Sequence, residues 1–88
     1  MRKVIKRNQD VVNFDPSKIT KAIVNAMHEV DSVDSKKAED ITKRVVAKLF
    51  EEKDSSYVPS VDQIHDIVEN TLMNTKLNHV AKSYILHR

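Results

Sequence analysis

The pair Asp15-Pro16 divides this chain into two kinds of pattern. Before it lie the two segments in which apolar and polar residues alternate, Lys3 to Arg7 and Val11 to Phe14; after it come apolar stripes at helical spacing. The pair itself reads as a helix start. An N-cap aspartate accepts backbone N–H groups, and proline suits the first helical position because its missing N–H is not needed there. The three residues between the alternating runs, Asn8-Gln9-Asp10, fit a hairpin turn. Alternation places Val12 and Phe14 on one face and Asn13 on the other, so one side of the ribbon is apolar. Two strands alone are marginal. The ribbon needs a helical base, with a third short strand around Tyr57-Val58 as a candidate addition.

The first helix is expected from about Pro16 to Val30, with Ile19, Ala22, Ile23, Ala26, Met27 and Val30 as its stripe. A polar turn, Asp31-Ser32-Val33-Asp34, ends it. Ser35 or Asp34 then caps a second helix from about Lys36 to Lys53, with Ala38, Ile41, Val45 and Leu49 buried and Val46 and Phe50 beside them. Its other face, from Glu39 to Glu52, reads as a solvated charged face. After a break closed by Pro59, Ser60 and Gln63 form a capping box, so a third helix begins near Val61 and buries Val61, Ile64, Val68 and Leu72. His65 sits on that stripe. A fourth helix restarts at Asn74-Thr75, carries Leu77, Val80, Ala81, Tyr84 and Ile85 on one face, and runs into Arg88 without a stop signal, as though a longer protein continued. Four helices joined by short loops, with a hairpin over one end, satisfy all these stripes. The expected class is α+β, mainly α: a four-helix bundle capped by a small hairpin or three-stranded sheet.

The 88 residues hold one domain, and a chain of this size buries only about 60 to 65% of its unfolded surface. A bound ligand would therefore add noticeably to its stability. With 40% apolar and 32% charged residues the composition is that of an ordinary soluble protein, and no apolar run approaches a membrane span or a signal-peptide core, so a cytoplasmic location is expected. The absence of cysteine excludes disulfides, thiolate zinc sites and thiol catalysis within these residues. A net charge of +2, with both signs interspersed, gives little of the attraction that nucleic-acid binding depends on. There is also no glycine, which rules out a glycine-rich phosphate loop. If phosphate binds here, side chains and a helix end must hold it.

Lys18 points to such a site. It is the third residue of the first helix, where N–H groups are unpaired and a cation is locally unfavourable by a few tenths to about 1 kcal/mol. An anion at the helix start would explain it, with Lys6 and Arg7 from the ribbon completing a cradle. The plainer alternative is that Lys18 points into water and pairs loosely with Asp15.

The spacing of Val4, Lys6-Arg7, Phe14, Lys18-Ile19 and Ala22-Ile23, with the closing VAKSYILHR, resembles the ATP-cone, a nucleotide-sensing domain at the N-terminus of many ribonucleotide reductases. The similarity covers essentially the whole chain. One departure is that the family usually has glycine in the hairpin turn, where this chain has Asn8-Gln9-Asp10; asparagine tolerates left-handed backbone angles and glutamine does so poorly. The resemblance implies that Lys6, Arg7 and Lys18 bind the triphosphate of ATP or dATP with Mg2+, and that Val4, Val12, Ile19, Val61 and His65 wall the base. Asp15 becomes a candidate ribose or base contact. For the four aliphatic residues, plain core is the competing reading. His65 would otherwise be an ordinary boundary histidine. Tyr57 is open between base stacking and the surface. His28, His79 and His87 show no metal-ligand pattern.

No nucleophile and base are paired, so binding without turnover is expected. The resemblance further implies residues 1–88 as the N-terminal piece of a larger reductase, best the anaerobic ribonucleoside-triphosphate type and next the aerobic large subunit, with the catalytic core and another cone or subunit as partners. No nucleic acid or membrane partner is expected. Two rivals remain: a small helical module meeting an acidic partner, and a cone from a regulator of reductase genes, whose four-cysteine zinc ribbon is not present here.

Overall fold

The computed structural model describes residues 2–87. In chain order they form β1 (Lys3–Ile5), β2 (Val11–Asn13), α1 (Pro16–Glu29), α2 (Ser35–Phe50), α3 (Val61–Asn74) and α4 (Asn78–His87). The architecture is the expected one, mainly helical with a small two-stranded antiparallel sheet. Helix α1 packs on α2 and α4, and α3 packs on the same two, which closes the helices into a ring around one core. Ile23, Met27, Ile41, Val45, Val68 and Leu72 fill its centre and are fully buried.

Capping side chains fix where the helices begin. Asp15 accepts the Ser17 N–H at 3.0 Å with Pro16 at the first helical position. Asp34 is the cap of α2 and accepts the Lys37 N–H at 3.0 Å, so Ser35 is already helical. Ser60 and Gln63 form the reciprocal capping box of α3, with bonds of 2.8 and 3.1 Å. Between α1 and α2 the Thr20 and Thr42 hydroxyls meet at 2.7 Å, and Thr42 also donates to the Ala38 carbonyl, so this buried polar pair is satisfied.

Four details differ from the sequence expectation. Helix α2 stops at Phe50 instead of near Lys53 because Phe50 is needed elsewhere: its ring meets Phe14 edge-on at 5.3 Å and Tyr57 at 6.3 Å, and the Arg2 guanidinium lies 4.2 Å above it. Helix α4 begins at Asn78, since residues 75–77 close the end of α3. The strands are shorter than the alternating runs. In place of a third strand at Tyr57-Val58 there is one parallel bridge, Ile5 to Ser60, with the Ile5 N–H donating to the Pro59 carbonyl at 2.9 Å. The expected end of α4 at Arg88 lies outside the described residues.

The chain has no glycine, yet it reverses at places that favour one. Gln9, Asp31, Glu52 and Lys76 all have positive φ, from 52° to 75°. Asp31 and Lys76 end α1 and α3 in the paired-bond closure usual for glycine: Ser32 N–H to Met27 O at 2.9 Å with Asp31 N–H to His28 O, and Leu77 N–H to Leu72 O at 2.8 Å with Lys76 N–H to Met73 O. A residue with a Cβ is strained there by roughly 1 to 2 kcal/mol, while glycine adds freedom to the unfolded chain. Gln9→Gly and Lys76→Gly are therefore each expected to raise stability by about 0.5 to 1 kcal/mol, read as a higher urea midpoint at unchanged slope.

Candidate functional site

The hairpin is held down from two sides, and this opens a cavity beneath it. Three residue pairs, Lys3 with Asn13, Val4 with Val12 and Ile5 with Val11, form the ribbon. Val4 faces the core. Arg2 donates to the Asp54 carbonyl at 2.7 Å while stacking on Phe50, which fixes the loop before α3 against the base of the ribbon. Between β2, the start of α1 and the first turns of α3 lies a cavity of about 550 Å3, within the usual range for small-ligand sites. Val4, Val12, Ile19 and Val61 give it apolar walls, with Lys6, Asp15, Lys18 and His65 among its polar members. All of the expected site residues line it except Arg7.

Lys6 projects from the end of β1. Its backbone is clamped by the turn, the N–H donating to Asp10 O and the carbonyl accepting from Gln9 N–H, both at 2.9 Å. The Asn8 side chain completes the turn by bonding Asp10 through both its oxygen and its nitrogen. Gln9, and not Asn8, takes the left-handed conformation, at φ 75°. The reason is geometric: the Lys6–Asp10 bond makes the loop Arg7-Asn8-Gln9, one residue earlier than the expected Asn8-Gln9-Asp10, and a turn followed by one left-handed residue puts that residue third, where Gln9 stands and Asn8 is second.

Lys18 is exposed on the first turn of α1. It does not form an ion pair with Asp15, whose carboxyl is occupied: Oδ1 accepts both the Ser17 N–H at 3.0 Å and the Ser17 hydroxyl at 2.6 Å. Those two bonds, more than the nearby Lys18 charge, hold the Asp15 carboxyl below the ordinary carboxylate range. Among the described residues, neither Lys6 nor Lys18 has a carboxylate within ion-pairing distance. Two cations thus face one cavity at a helix start.

Arg7 points elsewhere. Its Nε and Nη2 both lie 3.1 Å from Asp62 Oδ1 in the first turn of α3. An anion is favoured at that helix end, which draws the guanidinium to it. Both side chains are about two-thirds exposed, at 66% and 64%, so the pair is worth little and is readily exchanged for a stronger anion.

His65 sits one turn into α3, its Nδ1 2.7 Å from the hydroxyl of Tyr84 on α4. Phe14, Asn13, Ala22, Ile64 and Tyr84 also line the cavity and were not expected there. Three of them lie on helical stripes that read as core, and only the hydroxyl of Tyr84, which must find a partner when buried, carried a signal of more. Tyr57 is away from the cavity, packed on Phe50 with Lys53 Nζ 5.1 Å from its ring. A second cavity, of about 450 Å3, adjoins the first through Ala22, His65 and Tyr84 and includes His28 and His87. Among the described residues no group of three or more acidic or histidine side chains is placed to hold a metal ion.

A family model described as "ATP cone domain" matches residues 2–88. The chain is 44% identical over 93 positions to a vitamin B12-dependent ribonucleoside-diphosphate reductase of Thermoplasma acidophilum, an alignment covering 100% of this chain and 12% of that protein. It is 34% identical over 95 positions to the ribonucleoside-diphosphate reductase subunit alpha of Chlamydia muridarum, and 30% identical over 94 positions to that of Chlamydia pneumoniae; each match covers 97% of this chain and 9% of the relative. The chain spans about a tenth of the length of these relatives.

Proposed function

The chain belongs to the ATP cone domain family, and on that premise we propose that it binds ATP and dATP in the cavity under the hairpin as the allosteric regulatory domain of a ribonucleotide reductase. The observation that carries this reading is the convergence of Lys6 and Lys18, neither engaged by a carboxylate among the described residues, on one apolar-walled cavity at the start of α1. The triphosphate lies against the two lysines, with Arg7 leaving Asp62 to join them through a forked, charge-assisted contact. The base lies among Val4, Val12, Ile19, Val61 and His65. Asp15 keeps Oδ2 outside its capping bonds, and this oxygen suits a ribose hydroxyl. The site has no acidic cluster, so magnesium arrives on the triphosphate and is held by its oxygens and water.

In this reading the domain reports a nucleotide and does not consume it, as befits a regulatory domain of the ATP cone family. ATP and dATP differ by one hydroxyl, and a coupling of about 1 to 3 kcal/mol between site and catalytic core is enough to make the ratio readable. Residues 1–88 form one cone within a longer chain, whose core, together with another cone or subunit, receives the signal. Support for an anaerobic, triphosphate-reducing host comes from the closing residues alone. The relatives matched across the whole domain are diphosphate reductases, and a host of that kind is the one we favour. A cytoplasmic location follows from the reductase reading; among the described residues no helix is long and apolar enough to cross a membrane.

Calorimetric titration with ATP, dATP and GTP, with and without magnesium, tests the proposal. Saturable binding of both adenine nucleotides supports it. Equal, weak responses to any polyanion would replace it with a module for an acidic partner. The Arg7–Asp62 pair adds a sign that is hard to obtain otherwise: Asp62→Asn releases Arg7 and is expected to tighten ATP binding about two- to fivefold, the worth of a surface ion pair, in the same titration.

A further inference from the structure

Tyr84 has no role in the function proposed above, yet its surroundings are not those of a plain core residue. Its side chain is 4% exposed on the buried face of α4, while its hydroxyl reaches His65 Nδ1 on α3 at 2.7 Å. The rings also meet edge to face, with centroids 5.7 Å apart. Both residues line the cavity that contains Lys6 and Lys18. A buried tyrosine hydroxyl needs a hydrogen bond, and any backbone carbonyl would serve. Here the partner is a half-buried imidazole in the cavity wall.

That choice matters for the imidazole. The torsion that turns a histidine ring is broad and roughly twofold, so packing alone leaves the ring two ways round. A hydrogen bond at Nδ1 settles the ring plane, and because a phenol hydroxyl is a stronger donor than acceptor, Nδ1 accepts from it and the proton is left on Nε2. We propose that Tyr84 is a positioning residue for base recognition: its hydroxyl holds His65 in a single orientation and a single tautomer against the cavity. This rests on the reading that the cavity takes an adenine nucleotide. On its pairing edge adenine presents N1 as an acceptor where guanine presents an N1–H donor, so an Nε2–H turned toward the base suits adenine. An imidazole locked in one tautomer distinguishes the two, whereas one that turns freely accommodates both. Discrimination then depends on how α4 packs on α3, because the ring is carried by one helix and fixed from the other.

The test is titration of wild type, Tyr84→Phe, His65→Ala and the double variant with ATP and with GTP, beside ligand-free melting curves. Tyr84→Phe is expected to lower the ratio of ATP to GTP affinity about tenfold, the worth of one hydrogen bond, and the double variant to show the same ratio as His65→Ala alone. General loosening of the fold would weaken both nucleotides together and leave the ratio in place. Long-range 1H–15N spectra provide a readout that survives a poorly folding variant: His65 of the wild type should show one tautomer. A mixture of tautomers in the wild type, or an affinity ratio in Tyr84→Phe within twofold of wild type, overturns the proposal. If wild type binds ATP and only these results fail, the inference about Tyr84 falls alone. If wild type binds no nucleotide, the proposed function falls with it.

Discussion

Lys18→Ala is expected to weaken ATP binding by roughly ten- to a hundredfold, because a charge-assisted hydrogen bond to phosphate is worth about 1.5 to 3 kcal/mol. The same substitution removes a cation from the positive end of α1, so the ligand-free variant should melt at the wild-type temperature or slightly above it. These opposite signs separate a binding residue from a structural one. With ligand at a hundred times the wild-type Kd, binding stabilises the wild type by about 2.7 kcal/mol, and a hundredfold weaker variant by only about 0.4 kcal/mol. In a domain of this size each kcal/mol shifts the melting temperature by about 4 to 8 °C, so the loss is plain in a thermal-shift titration. Lys6→Ala should behave alike, as its root in the turn is fixed whether or not ligand is present. An unchanged ligand-induced shift in both variants would remove the phosphate cradle from consideration.

Leu72→Ala should come close to unfolding the ligand-free domain. Leu72 is fully buried on α3, and deleting such a side chain loses both its transfer free energy and the packing around the void, about 3 to 5 kcal/mol in all. At roughly 0.05 to 0.15 kcal/mol per residue, a chain this short has a total stability of only about 4 to 13 kcal/mol. The melting temperature should fall by at least about 12 °C, and near-saturating ATP should restore part of the loss. Lys43→Ala, on the exposed face of α2, is the matched control and should stay within about 0.5 kcal/mol of wild type. A small effect at Leu72 would mean that the helices close around the gap.

Local signals in this chain were strong enough to read. The Asp15-Pro16 cap, the Ser60–Gln63 capping box and the stripes led by Ile23, Ile41, Val68 and Leu72 each involve residues a few positions apart, and the structure places them as the patterns require. What escaped depends on partners far along the sequence. Arg7 turns to Asp62, 55 residues away, and Arg2 braces a carbonyl 52 residues away while covering Phe50. Periodicity carries nothing about such pairs. Phe50 also ends α2 before its charged pattern stops, since the packing of three rings outweighs helix propensity there. Lys18 was legible because a lysine in the first turn of a helix runs against the local electrostatics, and Lys6 followed as a ribbon cation near it. Val4, Val12, Ile19, Val61 and His65 were named as walls only through the family resemblance, and Ala22, Ile64 and Tyr84 read as core, since facing a cavity and facing a neighbour leave the same trace in a sequence.

The hairpin is carried on three residue pairs and one bridge to Ser60, and every residue of β2 is exposed. So small a ribbon opens more cheaply than the helices below it, and its amides should exchange with solvent through partial opening long before the whole domain unfolds. A nucleotide seated between Lys6 and Lys18 would clasp this ribbon to α1 and slow exchange at Val4 and Val12 far more than at Leu72, where only global unfolding gives access. The most labile part of the fold would then be the part that registers occupancy.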